Sequence, residues 1–267
     1  MDTKTFDDPL DTAIIAAALS APARFRIELL ESCTSTNSVL LDRAQQGAPS
    51  GSVVVSERQS AGRGRRGRSW LSAPGDSLTF SLLWRFPADM PPPAGLSLAV
   101  GVATARVLEG VGAAGVQLKW PNDILAGRAK LGGILIETLS SAGRHVAVIG
   151  IGLNVRLSER IAAAVGDAAA ALEAFMSFVP SRNLLLASLL DGLAAMLDEF
   201  ARTGFAGLAE EWAARHAHAG QQVAVFAADG SCLEGRCAGV DADGALLLET
   251  AAGLRRIHSG DVSLRPR

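Results

Sequence analysis

Gly62, Gly64 and Gly67 spell a literal G-x-G-x-x-G, and the residues directly behind them limit what the chain can fold into. A dinucleotide-binding turn needs a helix to open immediately after the glycines, so that free backbone N–H groups meet the phosphates. Here Trp70 to Asp76 contains Pro74-Gly75 and leads into a strand-like run, Leu78 to Phe86. That context excludes a Rossmann turn, and the lack of a Gly-Lys-Ser/Thr after the glycines excludes a P-loop. The remaining reading is a glycine loop bearing Arg63, Arg65, Arg66 and Arg68. Glycines let backbone approach a ligand closely, and guanidinium forks suit carboxylate and phosphate oxygens. On its own, the loop fits a solvated basic loop or a nucleic-acid patch equally well.

Composition narrows the class. The formal net charge is -2, which weighs against a nucleic-acid binder, and 49% hydrophobic residues permit a sizeable core. Three cysteines, Cys33, Cys232 and Cys237, do not make a disulfide framework, so a reducing cytoplasm is expected. Met1 to Leu10 carries Asp2, Asp7 and Asp8 and is no secretory signal, and no apolar run reaches the length of a membrane span.

The periodicity predicts helices at Asp11–Leu19, from Ser35 or Thr36 to Gly47, and at Ala94–Leu108, Arg182–Arg202 and Phe205–Ala217. Strands are predicted at Phe25–Leu30, Ser52–Ser56, Leu78–Phe86, Val116–Trp120, Leu131–Leu139 and His145–Val155, the last two joined by a Ser-Ala-Gly turn. Ala162–Ala171 is Ala-rich and unassigned. After Gly220 come five short strands, with turns at Asp229-Gly230, Asp243-Gly244 and Gly253, which suggests a small barrel and a boundary near Ala219.

Three further segments could carry chemistry. In Lys119-Trp120-Pro121-Asn122-Asp123, Pro121 stops a strand and Asn122-Asp123 form a turn; Lys130 then opens an apolar strand, where an unpaired ammonium is costly unless it meets an anion. Gly132-Gly133, and Gly150 with Gly152 in Ile149–Val155, remove side chains where something must pack closely. Ser35-Thr36-Asn37 offers hydroxyls and free N–H groups at a helix start. Each has a plain structural reading as well: a hairpin with an exposed Lys, tight packing, a turn-forming Asn154, an ordinary cap.

In order and spacing, S-T-N, Q-x-x-G-R-G-R-x-G-R-x-W, K-W-P-N-D, K-x-x-G-I-L-x-E and I-G-x-G-x-N resemble the biotin–protein ligase family. The resemblance implies an α+β fold: a mixed β-sheet with flanking helices, of the class II aminoacyl-tRNA synthetase and biotin ligase type, over residues 1–218, and an SH3-like β-barrel over 219–267. It implies activation of biotin by ATP, with Mg²⁺, to biotinyl-5′-AMP and pyrophosphate, then transfer to a lysine of a biotin carboxyl carrier protein of acetyl-CoA carboxylase or a related carboxylase. Many bacterial relatives carry an N-terminal helix-turn-helix that represses biotin genes. Only about twenty residues precede the first strand here, too few for that domain, so a form without the repressor half, and no specific DNA binding, is expected. A homodimer is compatible with the family.

The resemblance also implies roles. Ser35, Thr36 and Asn37 hold the biotin ring, and Gln59 contacts the ureido group or the neighbouring strand. Arg63, Gly64 and Arg65 bind the carboxylate and α-phosphate, where Lys130 joins them. Asp123 helps place ATP or Mg²⁺, Trp70 orders the closing loop, and Gly133, Gly152 and Asn154 complete the binding surface. Two departures stand out. No Trp occurs in Arg156 to Phe175, where some relatives stack adenine, and Gly132 replaces the common Ala. Rival readings are a lipoate ligase or octanoyl transferase, which shares the catalytic fold; a nucleic-acid module, disfavoured by the lack of interleaved aromatics; and, most weakly, a metal site at Cys232, Cys237 and His258.

Overall fold

The computed structural model describes residues 8–141, 144–158, 161–163, 169–227, 230–258 and 262–266. The expected Ser-Ala-Gly turn falls on Ala142 and Gly143, and the Asp229 turn on Asp229, outside the described residues; so does part of Ala162–Ala171.

Seven strands form one mixed sheet: β1 (Arg26–Cys33), β2 (Ser52–Gln59), β3 (Ser77–Arg85), β4 (Val116–Lys119), β5 (Asp123–Ala126), β6 (Ala129–Ser141) and β7 (Arg144–Asn154), in the order β1-β2-β3-β7-β6-β5-β4. Only β1 and β2 run parallel, because helix α2 (Thr36–Gln45) provides the crossover between them; every other neighbouring pair is antiparallel. Gly47, with φ +87°, closes α2 as the sequence predicts. Helices α1 (Thr12–Ala18), α3 (Leu96–Gly110) and α4 (Arg182–Thr203) complete the flanking layer, with a short α5 (Ala209–Ala214) after them.

The two faces of the sheet are covered unequally. Strand alternation sends Val53 and Val55, Phe80 and Leu82, and Ile149 and Ile151 into the large core shared with α3 and α4. Val54, Leu83 and Val148 face the other way, against Leu40 and Ala44 of α2. A helix as short as α2 spans only about 15 Å, so it covers one end of that second face. Gly150 and Gly152, which share this face with Val148, leave the rest of it open.

A second, five-stranded antiparallel sheet completes the chain: β8 (Gln222–Ala227), β9 (Cys232–Val240), β10 (Leu246–Thr250), β11 (Gly253–Ile257) and β12 (Val262–Pro266), in the order β11-β10-β9-β8-β12. This is the predicted small C-terminal β domain. It docks on the first sheet through the buried Trp120, whose Nε1 donates to the Gly244 carbonyl at 3.1 Å.

Two predicted elements change. Val116–Trp120 was expected to end in a simple turn, but Asp123–Ala126 forms a further strand that pairs back onto β4, with Lys119 opposite Asp123. The single helix expected over Phe205–Ala217 is a 3-10 turn, Phe205–Leu208, then α5; beyond it Leu118 N–H donates to the Arg215 carbonyl and Ala217 N–H to the Leu118 carbonyl, so 215–217 extends the sheet edge instead. Among the described residues no helix is long and apolar enough to cross a membrane.

Candidate active site

The open part of the second face is the floor of a cavity. Lining it are Ser35, Thr36 and Asn37 from the start of α2, Gln59 from β2, Arg63 to Arg66, Arg68 and Trp70 from the loop, and Asp123, Lys130, Gly133 and Gly152 from the central strands. Every residue predicted for the site is therefore brought together except Asn154. That side chain instead donates to the carbonyls of Ala170 (3.0 Å) and Lys130 (3.3 Å), tying the 169–170 segment to β6.

Three glycines make the floor possible. A β-carbon on Gly150 would lie 2.2 Å from Asn37 Oδ1, one on Gly152 would lie 2.4 Å from the Trp70 indole, and one on Gly133 would touch Lys130 Nζ at 3.2 Å. Each glycine thus admits one functional side chain onto the sheet, in line with the close approach expected from the sequence. Gly132 faces the opposite way, towards Leu153.

At the helix end of the cavity the polar groups are locked. Gln59 Oε1 accepts from the Thr36 N–H (2.7 Å) and the Thr36 hydroxyl (3.2 Å). Ser81 Oγ donates within reach of both Thr36 Oγ1 (2.7 Å) and Asn37 Oδ1 (2.6 Å). Ser35 is the N-cap of α2, one of the two positions expected, but its side chain makes no capping hydrogen bond; it is 3% exposed and faces the cavity. Thr79 Oγ1 and Trp70 Nε1 are buried on the cavity wall without a protein partner. Left so, each carries a desolvation cost that a polar ligand group would offset.

The other end is cationic. Lys130 forms an ion pair with Asp123, and Lys119 lies 3.7 Å from the same carboxylate. The lining carries Arg63, Arg65, Arg66, Arg68, Lys119 and Lys130 against one acid, Asp123, so the space suits an anion. Arg63 is partly neutralised from outside this lining by Glu137, at 2.6 Å. Asp123 is paired here with the ammonium groups of Lys130 and Lys119, and it is the one carboxylate of the lining that a Mg²⁺ ion carried in on ATP phosphates could share. Among the described residues no group of three or more His, Cys, Asp or Glu could hold a metal by protein ligands alone. The Cys232–Cys237–His258 reading therefore falls: Cys232 is exposed, while Cys237 is buried beside His216, 3.9 Å from Nε2.

Thr79 and, from the C-terminal sheet, Leu264 lie outside every motif singled out in the sequence; Lys119, Trp120, Asn122 and Leu135 lie within those motifs but had no role of their own. The signal for β3 was present in Ser77-Leu78-Thr79-Phe80-Ser81, where small hydroxyls alternate with large apolar residues; the hydroxyl positions face the cavity side.

Comparison with known proteins agrees with this geometry. Residues 29–154 match the model of the biotin/lipoate A/B protein ligase family, and residues 218–265 match the biotin protein ligase C-terminal domain. The bifunctional ligase/repressor BirA of Escherichia coli is 36% identical over 90% of this chain and 74% of its own length. The chain belongs to the biotin protein ligase family. The biotin–[acetyl-CoA-carboxylase] ligase of Mycobacterium tuberculosis is 34% identical over 89% of this chain and 88% of its own. Among solved structures, the biotin protein ligase of Aquifex aeolicus in complex with biotin and ATP superimposes with a TM-score of 0.77 and 28% identity, covering 91% of this chain and 99% of that one. Membership of this family favours biotin ligation over the nucleic-acid-module reading.

Proposed function

We propose that the cavity runs both half-reactions of protein biotinylation, with its two ends divided between the ring and the reacting anions. The chain is an ATP-dependent biotin–[acetyl-CoA-carboxylase] ligase: it activates biotin to biotinyl-5′-AMP and transfers it to a carrier lysine. The observation that carries the assignment of residues is the convergence of all but one of the predicted site residues on a single cavity, polar and locked at the α2 end, cationic at the Lys130 end.

The ring binds at the α2 end, where Ser35, Thr36, Asn37 and the orphan Thr79 hydroxyl offer hydrogen bonds to a ureido group. Gln59 orders Thr36 through its carbonyl oxygen, and its amide NH₂ can donate to the ureido carbonyl. The carboxylate then points along the floor past Trp70 to Lys130. Attack of that carboxylate on the α-phosphorus of ATP joins two anions, and the charge grows on the equatorial oxygens. Lys130 and Arg65 offset that charge from fixed positions, where preorganised cations are most effective. Asp123 holds the Lys130 ammonium in place until the phosphate arrives. Mg²⁺ bound with ATP would be held by the phosphates and Asp123, and would help neutralise the leaving pyrophosphate. With the Arg–Gly loop closed over the mixed anhydride, water is kept out until the carrier lysine attacks the acyl carbon and AMP leaves.

The carrier is a biotin carboxyl carrier domain of acetyl-CoA carboxylase or a related carboxylase, and the protein works in the cytoplasm. The ligase unit comprises residues 1–218, with the small β domain at 219–267 supplying Leu264 to the cavity wall and Gly244 to Trp120.

Pyrophosphate exchange into ATP tests the reading, run with biotin, lipoate, octanoate and no acid. Exchange with biotin alone is expected. Exchange with lipoate alone would transfer the assignment to the lipoate branch, and none with any acid would remove the adenylation mechanism.

A further inference from the structure

Glu137 closes the motif K-x-x-G-I-L-x-E, yet neither half-reaction gives it work. It lies on β6, and alternation places Gly133, Leu135 and Glu137 on the cavity face. Its Oε2 accepts two hydrogen bonds: from Arg63 Nη2 at 2.6 Å and from Asn37 Nδ2 at 2.9 Å. Asn37 spends its other amide hydrogen on the Leu135 carbonyl (3.2 Å), and its Oδ1 accepts from Ser81. One carboxylate oxygen therefore joins the first arginine of the Arg–Gly loop to the residue that fixes the ring end of the cavity.

The location matters as much as the bond. Glu137 is four residues from Gly133, roughly 13 Å along an extended strand, while Lys130 Nζ sits against Gly133. Arg63 is therefore held on the Asn37 side of the floor, with its guanidinium already paired to a carboxylate, whereas Lys130 is held at Gly133 and Asp123. We infer that Glu137 is a positioning residue that latches the Arg–Gly loop through Arg63, so that Arg63 anchors the loop and only Arg65 serves the reacting anions. The latch also ties loop closure to ring binding, since Asn37 and Arg63 share the same oxygen. The coupling to biotin rests on the proposed biotinylation; the latch itself does not.

The first experiment is limited trypsin digestion of the ligand-free full chain, reading cleavage after Arg65, Arg66 and Arg68. Loss of a charge-assisted hydrogen bond frees the loop, so Glu137→Ala should be cut roughly tenfold faster than wild type, with Glu137→Gln between them. Arg63→Ala/Glu137→Ala should be cut no faster than either single variant, because the two residues act as one unit. With biotin and ATP, Glu137→Ala should also raise the KM for biotin and release adenylate into solution faster, while Glu137→Gln partly rescues both. Cleavage rates and adenylate release equal to wild type in a folded Glu137→Gln and Glu137→Ala would overturn the latch, and so would additive effects in the double variant. Should wild type itself exchange pyrophosphate with no acid, the proposed function fails, and the digestion still decides on the latch.

Discussion

Lys130 and Asp123 face each other from adjacent strands as an ion pair, with Lys119 completing the cluster from the strand beyond. The arrangement keeps an ammonium at the mouth of an apolar strand by giving it a carboxylate when no phosphate is bound. In the mechanism proposed above, this cluster is the electrostatic seat for the reacting anions. Lys130→Ala should lower biotin-dependent pyrophosphate exchange by about 10²- to 10³-fold, the usual loss when one preorganised charge is removed. The fold should survive, because Asp123 keeps Lys119 and the side chain is partly exposed. Wild-type exchange in a folded Lys130→Ala protein would end the mechanism proposed for it.

Gly150 and Asn37 lead to a second expectation. The Asn37 amide is fixed by Leu135, Glu137 and Ser81, so it cannot swing away from an added methyl group that would sit 2.2 Å from it. Gly150→Ala should therefore cost about 1–3 kcal/mol through overpacking, and should weaken biotin binding in calorimetry by displacing the start of α2. Gly110→Ala is the control: its β-carbon meets nothing within 4 Å at the end of α3, so the change should be neutral or slightly stabilising. Equal behaviour of the two variants would mean that Gly150 is not there for Asn37.

These two relationships show where the sequence was legible and where it stopped. Long, strongly patterned elements such as β3, β6, β7 and α4 were readable from alternation or helical spacing, and the loop, K-W-P-N-D and glycine segments converge on the candidate cavity. Four-residue β5 was not readable, because Asn122-Asp123 carries a turn signal and so short a run shows no period. The short α5 was overextended because the apolar spacing continues to Ala217, while the backbone there pairs with Leu118. Asn154 had the residue type of a ligand group but spends its amide on Ala170 and Lys130, a tertiary fact. Glu137 was in view as part of a motif, but its partners lie 74 and 100 residues away in sequence.

Trp120 gives a test of the coupling between the two sheets. It is 1% exposed, and its indole N–H satisfies the buried Gly244 carbonyl. Trp120→Phe keeps the aromatic bulk near that size but leaves the carbonyl unpaired. A loss of about 1–3 kcal/mol in chemical denaturation is expected, together with faster hydrogen exchange at β10. Unchanged exchange at β10 would show that the hydrogen bond does not hold the C-terminal sheet in place.

His216 makes the same junction sensitive to pH. It stacks on Trp212 with centroids 4.4 Å apart, lies beside Cys237 and His218, and is buried, which pushes its pKa down to about 4, with the neighbouring His218 adding to the shift. His218 is lowered too, chiefly by burial. In the unfolded chain an imidazole titrates near pH 6.5. Between pH 6.5 and about 4 the unfolded state therefore binds the proton and the folded state does not, so the stability that the neutral ring contributes is complete above that window and is lost as pH falls through it. By pH 5 the loss from His216 alone is about 2 kcal/mol. Urea titrations at pH 7.5 and 5.0 should show it in wild type, and His216→Phe, which keeps a ring against Trp212, should lose less over the same interval. An equal loss in the variant would place the acid sensitivity elsewhere in the chain.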